Sequence, residues 1–276
     1  MRLRSLSICL LSLLSLLCAG VPLAQTHISP RSLSLSRANV ADPRDGRDAN
    51  PALIVDSTLH LSADFMPFPS GIEDSWMAGA SMEYAVDTRN VLGVSFDKFQ
   101  YQSFYSNEDI AMQYSRSFGS DTDRKAAAGV RLRYSNTSFG QYYLPIGEIS
   151  MDLGAVLQLA SRLMLGVAVV DLTSLYHSQD IGTDVRSAYL GLTYRPLSDL
   201  ALHAAVESST GSALNVLGGI EYDLERSIAL RIGIESLTGN LSGGVGLHYN
   251  AFLIDFSLIR HPVLGDEWSF GLSTDL

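Results

Sequence analysis

Residues 228–235 read Ile228-Ala229-Leu230-Arg231-Ile232-Gly233-Ile234-Glu235. Every even position carries a large aliphatic side chain, and every odd one carries something small or charged. Successive side chains of an extended strand point to opposite faces, so this octet has one apolar face and one small or polar face. On a helix the same aliphatics would scatter around the axis. The pattern recurs along the chain. Trp76, Ala78, Ala80, Met82 and Tyr84 alternate with Met77, Gly79, Ser81 and Glu83, and Ile149, Met151, Leu153, Ala155 and Leu157 alternate with Ser150, Asp152, Gly154, Val156 and Gln158. Phe252, Ile254, Phe256 and Leu258 repeat it near the C-terminus.

Extended to the whole chain, this reading predicts fourteen strands, the first over 57–66 and the last over 266–276, with 107–118, 125–136 and 162–171 among them. Their connections alternate. One set is tight, as at Asp87-Thr88-Arg89, Ser161, Leu224-Glu225-Arg226 and Asn250; the other is often longer, as at 67–74, 101–106, 137–146, 172–183 and 261–265. Short turns on one rim and longer loops on the other are the pattern of an up-and-down outer-membrane barrel, and an even strand count brings both ends to the short-turn, periplasmic rim.

Composition decides which face points outward. A soluble sheet normally guards its wet face and edges with Lys and Glu. Here the non-apolar face is rich in small residues (Gly129, Gly154, Gly191, Gly219, Gly233, Gly244, Gly246, Gly271), and the chain has only two Lys, Lys98 and Lys125. Small residues with scattered opposite charges suit a crowded lumen, with the apolar face turned to lipid. Aromatics near strand ends (Trp76, Tyr84, Phe118, Tyr134, Tyr194, Tyr222, Tyr249, Trp268) fit interface girdles.

The 276-residue chain opens with a basic start, Arg2 and Arg4, then an apolar run from Ile8 to Leu17 and small residues. Residues 1–24 are predicted to be a signal peptide, with cleavage after Gly20 or Ala24. Both cysteines, Cys9 and Cys18, lie in it, so the mature chain has no disulfide, thiol chemistry or Cys-based metal site. Without the two arginines the formal charge moves from −10 to −12. That balance, with no basic cluster, excludes nucleic acid as a partner. After residue 24 no apolar run is long enough for a transmembrane helix. A mean hydropathy of +0.15 then reflects the leader and lipid-facing strands.

Residues 25–56 do not alternate and read as a plug or hatch segment ahead of a barrel over 57–276. The run from Ser36 to Ile54, which holds Asn50-Pro51-Ala52, resembles the N-terminal signature of the FadL/PorV/PorQ-like outer-membrane barrels. Gly219-Ile220-Glu221-Tyr222, Leu230-Arg231-Ile232-Gly233, Gly244 to Tyr249, Asp255, and His261 with Leu264-Gly265 fit that group's C-terminal pattern. The resemblance implies a 14-stranded barrel with an N-terminal plug in the bacterial outer membrane. It also implies one of two roles: an accessory in protein secretion or surface attachment, with a secretion-system protein as partner, or transport of hydrophobic small molecules such as fatty acids. The short loops and total size sit nearer the first.

Three sets of residues stand out. Asp42, Arg44, Asp45, Arg47, Asp48, Asn50 and Pro51 would tie the plug to the wall; the alternative is a loose periplasmic linker. Asp64, Glu83, Arg131, Arg133, Asp152, Glu221, Arg231 and Asp255 share lumen parity, as a structural ion-pair network or as a polar path. Phe139, Tyr142, Tyr143, Leu144 and Tyr176 suggest an apolar extracellular mouth, or an infolded loop. The six His show no metal-ligand spacing, and no Gly-x-Ser-x-Gly or phosphate-binding loop is present. No enzyme activity, cofactor or metal is expected, and the lipid of the outer membrane is the expected surrounding.

Overall fold

The computed structural model describes residues 29–45, 47–53, 57–69, 72–120, 123–140, 144–177, 186–225, 227–263 and 265–276, with backbone alone at 120, 123–125 and 173–177. The expected leader, residues 1–24, lies outside the described residues. After a five-residue helix α1 (Pro30–Ser34) come β1 (Leu59–Pro67), β2 (Ser75–Ala85), β3 (Asn90–Tyr101), β4 (Tyr105–Ser120), β5 (Asp123–Phe139), β6 (Ile146–Ala160) and β7 (Leu163–His177). There follow β8 (Ser187–Tyr194), β9 (Leu200–Ser209), β10 (Asn215–Leu224), β11 (Ile228–Glu235), β12 (Leu241–Tyr249), β13 (Phe252–His261) and β14 (Gly265–Asp275). Each pairs antiparallel with its neighbours in sequence, and β1 pairs with β14, so the sheet is a closed barrel. At the seam Leu59 and Leu276 exchange backbone hydrogen bonds of 3.0 and 2.9 Å, which puts both ends on the short-turn rim.

The two faces are inverted relative to a soluble protein. Along β11, Leu230, Ile232 and Ile234 are 43%, 50% and 59% exposed, while Arg231 and Glu235 are buried. Along β2, Met82 and Tyr84 point out, while Ser81 and Glu83 are buried. Closing the sheet leaves it no free edge strand, so the ladders pair around the barrel, as a wall surrounded by hydrocarbon requires. Tyr84, Phe118, Tyr194, Tyr222 and Tyr249 stand exposed at strand ends on the short-turn rim. Phe65, Trp76, Trp268 and Phe270 sit towards the other, with stacked or edge-on rings 5.1 to 6.5 Å apart. This surface is a lipid-facing one.

The strands differ from expectation in two places. Residues 101–106 and 137–146 were expected as loops, yet β4 begins at Tyr105 and β5 continues to Phe139, because Tyr105, Ser106 and Asn107 pair with Phe139, Ser138 and Thr137. Further along, alternation breaks at Val169-Val170-Asp171-Leu172, which argues for a strand end near 171. β7 instead continues through a bulge: Met151 faces Thr173 and Leu153 faces Val169, so three residues of β7 stand opposite Asp152. Asp171 takes a left-handed φ of 54°, and its N–H donates to Asp152 Oδ1 at 2.9 Å, replacing the lost ladder bond.

The outward face generates a direct expectation. Ile232→Arg, at the middle of β11, costs about 2–4 kcal/mol of stability for the barrel in phospholipid vesicles, read by urea unfolding. A change within about 0.5 kcal/mol contradicts a lipid-facing β11.

Candidate functional site: the occupied lumen

The described residues of 29–53 lie inside the barrel and run along its inner wall. They are held by shape and by charge. The shape comes from inward glycines near mid-height. A Cβ built at Gly129 would sit 2.0 Å from Pro51 O, at Gly154 2.1 Å from Asn50 Oδ1, and at Gly166 2.4 Å from Val40 O. The same clash arises at Gly233 with Leu35, at Gly244 with Ser34 Cβ (2.5 Å each), and at Gly271 with Pro30 Cγ (2.9 Å). Any side chain at these positions would push the segment off the wall. Small apolar contacts complete the fit: Ala38 and Val40 pack with Ala168, Ala205 and Leu217, and Ala52 packs with Ala127 and Val156.

Charge fixes the register. Arg31, in α1, bonds Glu221 through Nη2 at 2.6 Å and Nε at 3.0 Å, and reaches Asp42 Oδ2 at 2.9 Å. Glu221 also accepts from Arg231 Nε at 3.0 Å, and Arg231 continues to Asp255. Arg44 and Arg195 join Asp42 Oδ2 at 3.1 and 2.7 Å. Burial alone would push the Asp42 carboxyl up, but Arg44, Arg31 and Arg195 outweigh it and hold it well below the usual carboxylate range. Across the lumen, Arg47 bonds Asp45 at 3.0 Å and Asp64 at 2.8 Å. Asp48 accepts from Ser29, Asn39 and the Arg44 N–H, while its own carbonyl accepts from Arg131 at 3.0 Å. Arg131 and Arg133 both reach Asp152 Oδ2 at 2.7 Å.

The Asn50-Pro51-Ala52 run works as a clasp. Asn50 Nδ2 donates to Val40 O (2.8 Å) and Ala155 O (3.2 Å), and its Oδ1 accepts from Ala52 N–H at 3.0 Å. Gln113 donates to Pro51 O at 2.9 Å, and Ser115 to Leu53 O at 2.8 Å. The residues singled out in the segment therefore meet those of lumen parity: Arg47 meets Asp64, Asp48 meets Arg131, and Arg44 lies 3.8 Å from Glu221. Glu83 is fully buried on the same inner face.

Several partners escape the sequence pattern. Arg31 and Arg37 lie in the non-alternating segment, where no periodicity marks them; Arg37 spans Glu207 and Glu235 at 3.2 and 3.1 Å. Gln113, Ser115 and Ser242 do share the inward parity of their strands, and that parity is the signal that would have found them.

Asp42, His203 and Glu221 bring donor atoms within 4.8 Å of one another, a spacing compatible with a metal ion. Arg31, Arg44 and Arg195 crowd those carboxylates, so the arrangement is an ion-pair cage.

On the long-loop side of the segment lies a small cavity lined by Arg47, Asp97, Asp109, Arg131, Arg133 and Tyr189 among others, with about 30 Å³ of free space. Near that rim Phe139 is half-buried, its ring 5.2 Å edge-on from Tyr105, which in turn lies 5.6 Å from Phe99. Leu144 is 76% exposed. Tyr142 and Tyr143, with the side chain of Tyr176, lie outside the described residues. β7 pairs with β8 only over Leu163–Val170, so among the described residues 171–177 have a ladder partner on the β6 side alone.

With this geometry in hand, comparison with known proteins is informative at the level of fold. No family profile and no curated protein matches the chain. Solved structures do. The Ralstonia pickettii toluene transporter TbuX superposes with a TM-score of 0.60 at 11% identity, over 91% of this chain and 99% of TbuX. A Pseudomonas aeruginosa FadL homologue gives 0.58 at 12%, over 94% and 99%. The Acinetobacter baumannii outer membrane protein Omp33 gives 0.53 at 6%, over 81% and 100%. The chain shares its fold with transporter barrels. TbuX is by name a toluene transporter, and Omp33 an outer membrane protein.

Two outcomes test how the lumen is filled. Gly166→Leu expels the segment: residues 29–53 become cleavable by added protease, stability falls by about 1–3 kcal/mol, and the barrel keeps its heat-modifiable gel shift. The second concerns pH. A carboxyl held low in the folded state contributes stability above its unfolded pKa of about 4 and loses it as the pH falls towards the folded value. Protease access to the segment therefore rises as the pH drops below about 4, and Asp42→Asn shows the exposed behaviour already at pH 7.

Proposed function

We propose that this protein is a bacterial outer-membrane channel for small hydrophobic molecules, with residues 29–53 as its plug. The observation that carries the reading is the combination of a lipid-facing 14-strand barrel with a filled lumen and a fold likeness to TbuX and the FadL homologue over more than nine-tenths of the chain. The predicted leader and the girdles support the location. The secretion-accessory expectation, which rested on short loops and size, finds no support among these neighbours, and the transport alternative takes its place.

The wall supports a sideways route. An apolar solute gains nothing by crossing a lumen packed with buried ion pairs such as Arg31–Glu221, Arg47–Asp64 and Arg131–Asp152. A passage from the mouth into the bilayer avoids that interior. The bulge at Asp171 supplies a place for it: the register with β6 is interrupted there, and Asp171 is held in a strained conformation by Asp152, Ser150 and Arg133.

Cells expressing the protein take up radiolabelled toluene several-fold faster than cells with an empty vector. Deleting Asp171 and Leu172 restores a regular register in β7 and returns uptake to background, with the heat-modifiable shift retained. A tightly co-purifying protein partner together with unchanged uptake sinks the channel reading and reinstates the secretion one.

A further inference from the structure

The lateral route begins at the β7 bulge, and that bulge is not held by its own strands alone. Asp171 takes a left-handed φ of 54°, a conformation that costs a non-glycine residue energy and persists only where its surroundings hold it. Asp152 does the holding. Its Oδ1 accepts the Asp171 N–H at 2.9 Å, while its Oδ2 accepts from Arg131 Nε and Arg133 Nη2 at 2.7 Å each. Two charge-assisted bonds on one oxygen fix the plane of the carboxylate and aim the other oxygen at the bulge. Asp152 is fully buried, so the loss of either guanidinium leaves that oxygen underbonded.

The two arginines differ in what else they touch. Arg133 turns to Asp171 itself, with Nη1 3.4 Å from Oδ1. Arg131 turns to the segment, where its Nη1 donates to the backbone carbonyl of Asp48 at 3.0 Å. One planar guanidinium, with its donors in a fixed fork, therefore spans segment and wall. An unbroken line of hydrogen bonds runs from the segment backbone, through Arg131 and Asp152, to the Asp171 amide. The segment also backs the same two strands beside the bulge. Asn50 Oδ1 fills the place of a Cβ at Gly154, two residues along β6 from Asp152, and Asn50 Nδ2 donates to Ala155 O. Val40 packs on Ala168, the β7 residue opposite Gly154. The next pair, Leu153 with Val169, is the last regular one before the bulge.

We propose that Arg131 is the positioning residue of the lateral route: through it the seated segment holds the β7 bulge in its passage-forming shape, so the segment is a strut for the passage and not a cork that must leave. Arg131 touches no solute; it acts on the bulge through Asp152. The proposal rests on the channel reading for the solute, and on its own contacts for the coupling. Coupling is reciprocal, so a seated segment favours the bulge and an intact bulge favours the seated segment.

Uptake of radiolabelled toluene tests it in two sets of variants, with the heat-modifiable gel shift and protease resistance of residues 29–53 as checks on folding. Leu35→Cys/Gly219→Cys ties the segment to β10, five strands from Arg131. A Cβ at Gly219 lies 3.2 Å from that of Leu35, within a few tenths of an ångström of disulfide geometry, and the chain's own cysteines, Cys9 and Cys18, fall in the predicted leader. Uptake is the same with this bridge oxidised or reduced, whereas a cork would pass toluene only after reduction. Arg131→Met lowers uptake about fivefold or more with the segment still protected, and hydrogen exchange at the Asp171 amide speeds up. Adding Asp171→Gly, which takes a positive φ freely and so needs no holding, brings uptake back to within about twofold of the unaltered protein. Uptake lost on oxidation, undiminished uptake in Arg131→Met, or no rescue by Asp171→Gly each overturns the proposal. Exchange on the purified protein separates the two readings. Faster exchange at Asp171 in Arg131→Met, without toluene uptake by the unaltered protein, supports the coupling and removes the channel. Toluene uptake with unchanged exchange in Arg131→Met removes the coupling and keeps the channel.

Discussion

The close approach of a backbone segment to a glycine-lined wall is the contact on which the rest of the structure depends. A fourteen-stranded barrel encloses more space than its own side chains can fill, and that space must be occupied or wet. Here a run of inward glycines lets residues 30–51 lie within van der Waals reach of the strands. The absent Cβ atoms define a groove, and the segment fills it. Once the backbone is seated, arginines and carboxylates within the segment and between segment and wall meet at 2.6 to 3.0 Å.

The ion pairs then act on specificity more than on gross stability. Buried pairs recover the cost of leaving water only when geometry is good and the remaining atoms are bonded. That condition is met around Glu221 and Asp152, each shared between two guanidiniums. It is not met at Asp109, whose Oδ1 is buried without a hydrogen-bond partner. Asp152 links the lumen to the bulge of β7: one oxygen holds Arg131 and Arg133, and the other holds the strained Asp171 backbone.

Much of the wall was legible from alternation alone. Period two marked the strands, parity separated Ile232 from Arg231, and turn lengths separated the rims. Where reading failed, a local signal was overridden by pairing. Thr137 to Phe139 look like loop after a polar stretch, yet they find partners in Tyr105 to Asn107. Val170 and Asp171 break the period, yet a carboxylate from the neighbouring strand carries β7 onward. The lumen charges were legible by parity, but their partners were not, since Arg31 and Arg37 sit where the chain has no period at all.

The sequence by itself determined the class of object: a strand-built wall with an apolar outside, small and charged groups inside, and a non-repeating segment ahead of it. These follow from side-chain direction, a property of each residue and its neighbours in the chain. Only the tertiary structure decided that the inward glycines are a seat, that Arg31 belongs to Glu221 some 190 positions away, and that Asp97 and Asp109 share one unfilled space. Those facts depend on register and closure. Pairings between distant strands are set by how the sheet closes on itself, and no window of sequence contains that information.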